Sequence, residues 1–156
     1  MSSRAVALQW YQRAATVAHG HYRAALRYSR LNYWFGFPTV VLATVVGTSV
    51  FATLQAKPDF WWQVAVGLMS IAAAILSALQ SFLGYNDKAE KHRVAGSRYN
   101  AVGRELELWL SHAQEDPEKL DAIRLRIDAL AQESLHIPES VHKQMALNVD
   151  ELVWKQ

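Results

Sequence analysis

The sequence predicts an all-α membrane protein: a two-helix transmembrane hairpin with an N-terminal amphipathic helix and C-terminal cytoplasmic helices. Three observations predict it. Two stretches carry no Asp, Glu, Lys or Arg: Leu31 to Ala56, 26 residues, and Phe60 to Asn86, 27 residues, with only Lys57, Pro58 and Asp59 between them. Aromatic residues mark their ends: Tyr33, Trp34 and Phe35 open the first, Phe60, Trp61 and Trp62 open the second, and Tyr85 closes it. Basic residues flank the pair on one side only. Arg4, Arg13, Arg23, Arg27 and Arg30 precede it, Lys88, Lys91, Arg93 and Arg98 follow it, and the connection holds Lys57 alone.

Each observation has a physical reading. A membrane-crossing helix needs roughly 20 apolar residues, and a charge at its centre costs about 2.5–3.5 kcal/mol. Both runs meet the length and carry no charge. Amphipathic aromatic rings favour the headgroup level, and Lys and Arg stay on the cytoplasmic side. Both termini are therefore expected in the cytoplasm, with the hairpin in the inner membrane. A buried hairpin inside a soluble bundle is the competing reading, and two adjacent runs of this length in so short a chain argue against it. A signal peptide would have a shorter apolar region nearer the start. An organelle transit peptide would explain the Arg-rich, acid-free N-terminus, but that segment has a structural pattern of its own.

Composition limits the functional classes. The 156 residues make about one domain, here taken as 1–156. Hydrophobic residues are 51% and charged residues 19%, with a mean hydropathy of −0.04. The net charge of +2 is too small to argue for nucleic acid. With no cysteine there is no disulfide framework, no Cys-based zinc site and no thiol nucleophile. Gly and Pro together are 11 residues, which leaves little for disordered linkers.

Residues 1–30 form the predicted N-terminal helix. At 100° per residue, Gln9, Gln12, Arg13, Thr16, Gly20, Arg23, Arg27 and Arg30 share one polar arc. Trp10, Ala14, Val17, His21, Ala24, Tyr28 and Leu31 repeat in 4-3 spacing, a coiled-coil-like seam. The helix could lie on the inner leaflet, but its Ala-rich face favours packing on the cytoplasmic helices or a second subunit.

The first span is expected over 31–55, ending near Leu54. Gln55 to Asp59 forms a turn too short for anything but an antiparallel hairpin. The second span, 60–85, is expected to run on as one helix into the region 86–156, since no breaker follows Tyr85. There Ala89, His92, Ala95, Tyr99, Val102, Leu106, Trp109 and Leu110 recur at 3–4 spacing, so one face is buried. Asp116 before Pro117 signals a new helix start, with Leu120, Ile123, Ile127 and Leu130 on one face. Ile137-Pro138 is expected to break it, and a last helix to run from about Glu139 to Trp154. Charge is uneven: residues 1–98 carry net +7 and 99–156 net −5. The basic part suits anionic lipid; the acidic part could dock on the N-terminal helix or on a partner.

The second span is two-sided. Ser70, Ala74, Ser77, Ser81 and Gly84 fall on one narrow stripe with Gln80 at its edge, while Leu68, Ile75, Leu79, Phe82 and Leu83 lie opposite. Small residues allow close helix packing and Ser hydroxyls bond across it. Several copies meeting along this stripe would instead enclose water, and because one hairpin cannot do so, any channel must be a homo-oligomeric ring. Both readings stand. Lys88, Lys91, His92 and Arg93 form a basic cluster at the membrane edge, which suits topology and lipid headgroups, with a nucleotide or phospholipid site as the alternative.

No catalytic constellation is present. There is no HExxH, no GxxxxGK[ST] and no GxGxxG. Glu90 and His92 lie two apart and point to different sides of a helix. His136 and His142 flank the proline break, and a lone helical His is more often structural than a ligand. No enzyme activity, metal or cofactor is expected.

A set of short segments in order resembles the SLATT domain family, prokaryotic two-transmembrane effectors found beside nucleotide-second-messenger and other anti-phage modules. It spans about Gly20 to Pro138. The segments are His21-Tyr22, Gly47-Thr48, Leu76 to Phe82 (LSALQSF), and Ala89 to Arg93 (AEKHR) running to Gly96 and Tyr99, then Ile137-Pro138. The resemblance implies an inner-membrane effector that oligomerises into a pore when a partner detects infection, depolarising the cell. About 18 residues follow Pro138, so a separately encoded sensor, a nucleotide-cyclase partner or a small messenger is expected to supply the trigger. A membrane anchor or scaffold that recruits a soluble partner through the acidic half is the alternative function. A transporter or enzyme subunit is disfavoured, because neither span holds an ionisable residue.

Overall fold

The computed structural model describes residues 2–53, 59–112 and 116–141. They form four helices and, among the described residues, no strand: α1 (Ser3–Thr53), α2 (Phe60–Leu83), α3 (Tyr85–Ser111) and α4 (Pro117–Glu133). Contacts divide the chain into two compact units. One joins the residues up to Arg27 to those from Lys88 onward; the other is Tyr28–Asp87. They are called here the polar and the apolar unit.

Local signals set the helix ends. The Ser2 hydroxyl accepts from the Ala5 amide at 3.3 Å and opens α1. Asp59 opens α2, taking the Phe60 amide at 2.9 Å. Asp116 opens α4, taking the Lys119 amide at 3.0 Å, with Pro117 in the first turn, where its missing N–H costs nothing.

Three boundaries differ from the sequence expectation. α1 is one helix from Ser3 to Thr53, with no break at the predicted 30/31 boundary; Pro38 lies inside it. The second predicted helix does not run unbroken past Tyr85. Gly84, at φ 54° and ψ 38°, ends α2 in the left-handed region, and its amide reaches the Gln80 carbonyl at 3.3 Å. A Gly adopts that conformation without the Cβ penalty, so the small residue placed on the stripe is also the breaker. α4 ends at Glu133, where the Ser134 amide caps the Leu130 carbonyl at 3.0 Å, three residues before Ile137-Pro138. Ile137 is buried as packing instead. Of the expected last helix only Glu139 to Val141 are described; its remainder, His142 included, and the turn from Leu54 to Pro58 lie outside the described residues.

In the polar unit, α1 packs on α3 and α4. Ala7, Val102, Leu106, Trp109, Leu120 and Ile123 form its main core, flanked by Trp10, Tyr11, Leu110, Ile127 and Leu130. Ala24, Ile137 and Val141 form a second cluster against Val17. The seam is thus occupied by protein: Ala14, His21 and Ala24 are buried, while Gln9, Gln12, Arg13, Thr16 and Arg23 are exposed. Gly20, assigned to the polar arc, is buried. Arg4 reaches the His112 carbonyl at 2.8 Å, and Arg27 bonds the Ser140 hydroxyl.

In the apolar unit, α1 and α2 pair antiparallel. Tyr85 meets Tyr28 and Phe35, with ring centroids 6.1 and 5.8 Å apart. Gln80 lies over Gly36, where an added Cβ would sit 3.0 Å from Nε2. Thr39, Thr44, Thr48 and Ser49 return their hydroxyls to carbonyls of the preceding turn at 2.7–2.9 Å, so each of these four hydroxyl protons has an acceptor within its own helix.

Both long helices carry 18-residue windows apolar enough to cross a membrane, with mean hydropathy 1.8 and 1.9. Only 6% of the first window and none of the second is buried. A soluble core helix passes the same length test by being covered, and these are not covered. Phe82 is 88% exposed and Trp34 78%.

Candidate functional site

Two features stand out, one in each unit. In the apolar unit, Val66, Met69, Ala72, Ala73, Leu76, Gln80 and Leu83 are half-buried at 3–4 spacing along α2, with Val64 half-buried off that row. The row forms the face turned to α1. Ser70, Ala74, Ser77 and Ser81 centre about 110° further round at 100° per residue, and all four are exposed. Gly84, also assigned to the stripe, and Gln80 at its edge are half-buried. The small-residue stripe is therefore not what holds the hairpin together.

In the polar unit, the predicted basic cluster is divided. Lys88, Lys91 and Arg93 are exposed, and Arg93 pairs with Glu90 at 2.8 Å. His92 does not belong with them. It is 1% exposed, because its position falls on the buried face with Ala95 and Tyr99. A cleft of about 400 Å³ beside Lys91 also holds Arg98, Glu90 and Glu133. Its two carboxylates balance its two cations, which makes it a poor phosphate site.

His92 meets His21. The two Nδ1 atoms are 2.9 Å apart, and the rings are 5.1 Å apart by centroid. His21, 2% exposed, also stacks on Tyr99 at 5.6 Å. One turn on, Tyr22 and the Ala18 carbonyl press against Gly96, where an added Cβ would lie 3.2 Å from each. A hydrogen bond between two Nδ1 atoms requires different tautomers: one ring carries its proton on Nδ1, the other on Nε2. Burial and the neighbouring His92 push His21 down from 6.5 to about 4. Burial also lowers His92. Burial raises the Tyr99 phenol, and its hydrogen bond with Ser134 partly opposes this. Both imidazoles are therefore neutral at pH 7.

The pairing was not read from the sequence. The available signal was that His21 lies in the α1 seam and His92 on the buried face of α3, each the only histidine in its row. Among the described residues no group of three or more His, Asp or Glu is placed to hold a metal ion. The arrangement is a buried polar clamp between two helices.

These helices define a class: an all-α protein with two helices long and apolar enough to cross a membrane. Compared with family models, curated proteins and solved structures, the chain matches none.

Proposed function

We propose that this protein is an inner-membrane effector whose hairpins assemble through the Ser70–Gly84 stripe into a homo-oligomeric pore that depolarises the membrane. The observation that carries this reading is the exposure of Ser70, Ala74, Ser77 and Ser81 beside an α1–α2 contact that leaves them out. In lipid, an exposed row of hydroxyls and small residues finds partners by close helix approach or by water, and the bulky opposite face suits acyl chains. The family resemblance adds the setting: an anti-phage, abortive-infection response triggered by a separately encoded sensor or nucleotide-cyclase partner, with both termini cytoplasmic.

The scaffold alternative needs a free acidic surface. Four of its carboxylates are engaged by arginines of the chain: Glu105 with Arg126 at 2.6 Å, Glu133 with Arg98 at 3.0 Å, and Asp121 and Asp128 with Arg124 at 2.8 and 3.2 Å. That weighs toward the pore. The test is dye release from vesicles holding the purified chain, and membrane potential in a bacterium expressing it. Ser77→Leu with Ser81→Leu should abolish leakage while insertion and helix content persist, because neither side chain is in the α1–α2 contact. Leakage equal to that of the unaltered chain would overturn the pore-lining assignment.

A further inference from the structure

The His21–His92 contact lies outside the stripe and is unused by the proposed pore. We propose that it is an acid-sensitive latch, docking the N-terminal part of α1 onto α3 and releasing it when the surrounding compartment acidifies. The latch concerns the polar unit and stands without the pore; only its effect on conduction rests on that reading.

The geometry gives the mechanism. One proton occupies the 2.9 Å Nδ1–Nδ1 gap. A first added proton places an imidazolium where His21 is 2% exposed. A second puts two N–H groups and two positive charges face to face, and the bond is lost. Among the described residues, those in contact with the His21 ring are uncharged. From α3 these are His92 and Tyr99. From the segment after α4, Ser134 engages the Tyr99 hydroxyl. The nearby carboxylates on α3 and α4, Glu90 and Glu133, pair at the surface with Arg93 and Arg98. On α1 itself, His19 is exposed and bonds its own helix at the Ala15 carbonyl.

Undocked, each imidazole returns to an ordinary histidine value. Lowering the pH from 7.5 to 5.5 should then favour the undocked state about tenfold through His21 alone, and further through His92. α1 is one helix from Ser3 to Thr53, so the helix that the latch holds also carries the first apolar stretch. A pore that collapses the proton gradient would loosen its own latch.

The test is amide hydrogen exchange of the full chain in lipid nanodiscs, corrected for intrinsic rates. Exchange in α1 residues 6–27 should rise at least about tenfold between pH 7.5 and 5.5. With His21→Asn and His92→Asn, whose amides keep a hydrogen bond but do not titrate, the rise should vanish. A flat response in the unaltered chain, or the same rise in the double variant, overturns the latch. Should the variant fail to fold, ring NMR titration of the unaltered chain decides: docked rings that protonate near pH 6.5 overturn it, and rings that stay neutral there support it. Dye release separates the two readings. No leakage at any pH, alongside acid-dependent exchange, overturns the pore and leaves the latch standing.

Discussion

His21 and His92, 71 residues apart in sequence, share a buried Nδ1–Nδ1 hydrogen bond of 2.9 Å. It joins two of the five short segments on which the sequence resemblance rests, His21-Tyr22 and the stretch from Ala89 to Tyr99. In space they are one contact: His21 on His92 and Tyr99, Tyr22 on Gly96. His21→Leu alone strands a buried imidazole, and the expected cost is about 1–3 kcal/mol. His92→Leu should cost a similar amount. The double Leu variant should cost less than the two singles together, because no polar group is left unsatisfied. Thermal or denaturant melts of the full chain in detergent check this, and strict additivity would refute the coupling.

The same pair sets a pH dependence. The folded chain holds His21 near 4, below the 6.5 of an unfolded histidine, so the unfolded state binds more protons between those values. The stabilisation is fully present above pH 6.5 and is lost as pH falls toward 4. At about 1.36 kcal/mol per unit, His21 accounts for about 3 kcal/mol over that window. Melting followed from pH 7.5 to 4.5 should show stability falling, with a weaker slope in His21→Asn.

Gly96 is a point of close helix approach. A Cβ there would meet the Ala18 carbonyl, which is backbone and cannot swing aside, and the Tyr22 ring, each at 3.2 Å. Gly96→Val should separate α1 from α3 and destabilise the polar unit by about 1–3 kcal/mol. Gly103, where nothing lies within 4 Å of an added Cβ, is the control. Gly103→Ala should be neutral or slightly stabilising by helix propensity. Equal losses at both would refute the packing argument.

Trp109 and Asp116 close the far end of the polar unit. Trp109, 4% exposed, donates Nε1–H to the Asp116 carbonyl at 2.9 Å, while the Asp116 side chain caps α4. Trp109→Phe keeps most of the ring and should cost about 1 kcal/mol for the hydrogen bond. Trp109→Ala should cost about 3–5 kcal/mol. Asp116→Ala should cost about 1 kcal/mol, because the carbonyl remains and only the cap is lost. Tryptophan fluorescence during denaturation separates the three.

Much of the fold was legible because its signals are local. Length without charge, Asp116 before Pro117, and the 3–4 recurrence from His92 to Trp109 are each set by neighbours along the chain and by the 100° step of a helix. Gly84 shows the limit. Its sequence context allows either a small residue in a continuing helix or a left-handed stop, and the two differ by a rotation that composition does not reveal.

The stripe shows another limit. Periodicity established that Ser70, Ala74, Ser77 and Ser81 share one side of α2, but which side meets α1 depends on a second helix, and there Met69, Leu76 and Gln80 take the contact. His92 is the sharpest case. The sequence puts it both in a basic run and in the apolar row of α3, and its direction on α3 with the arrival of His21 decides between them, leaving it neutral and buried. What the chain specifies alone is which residues lie together on each helix face. Which faces meet, and so which groups lose water and shift their protonation, is settled only by packing, because desolvation depends on neighbours distant in sequence.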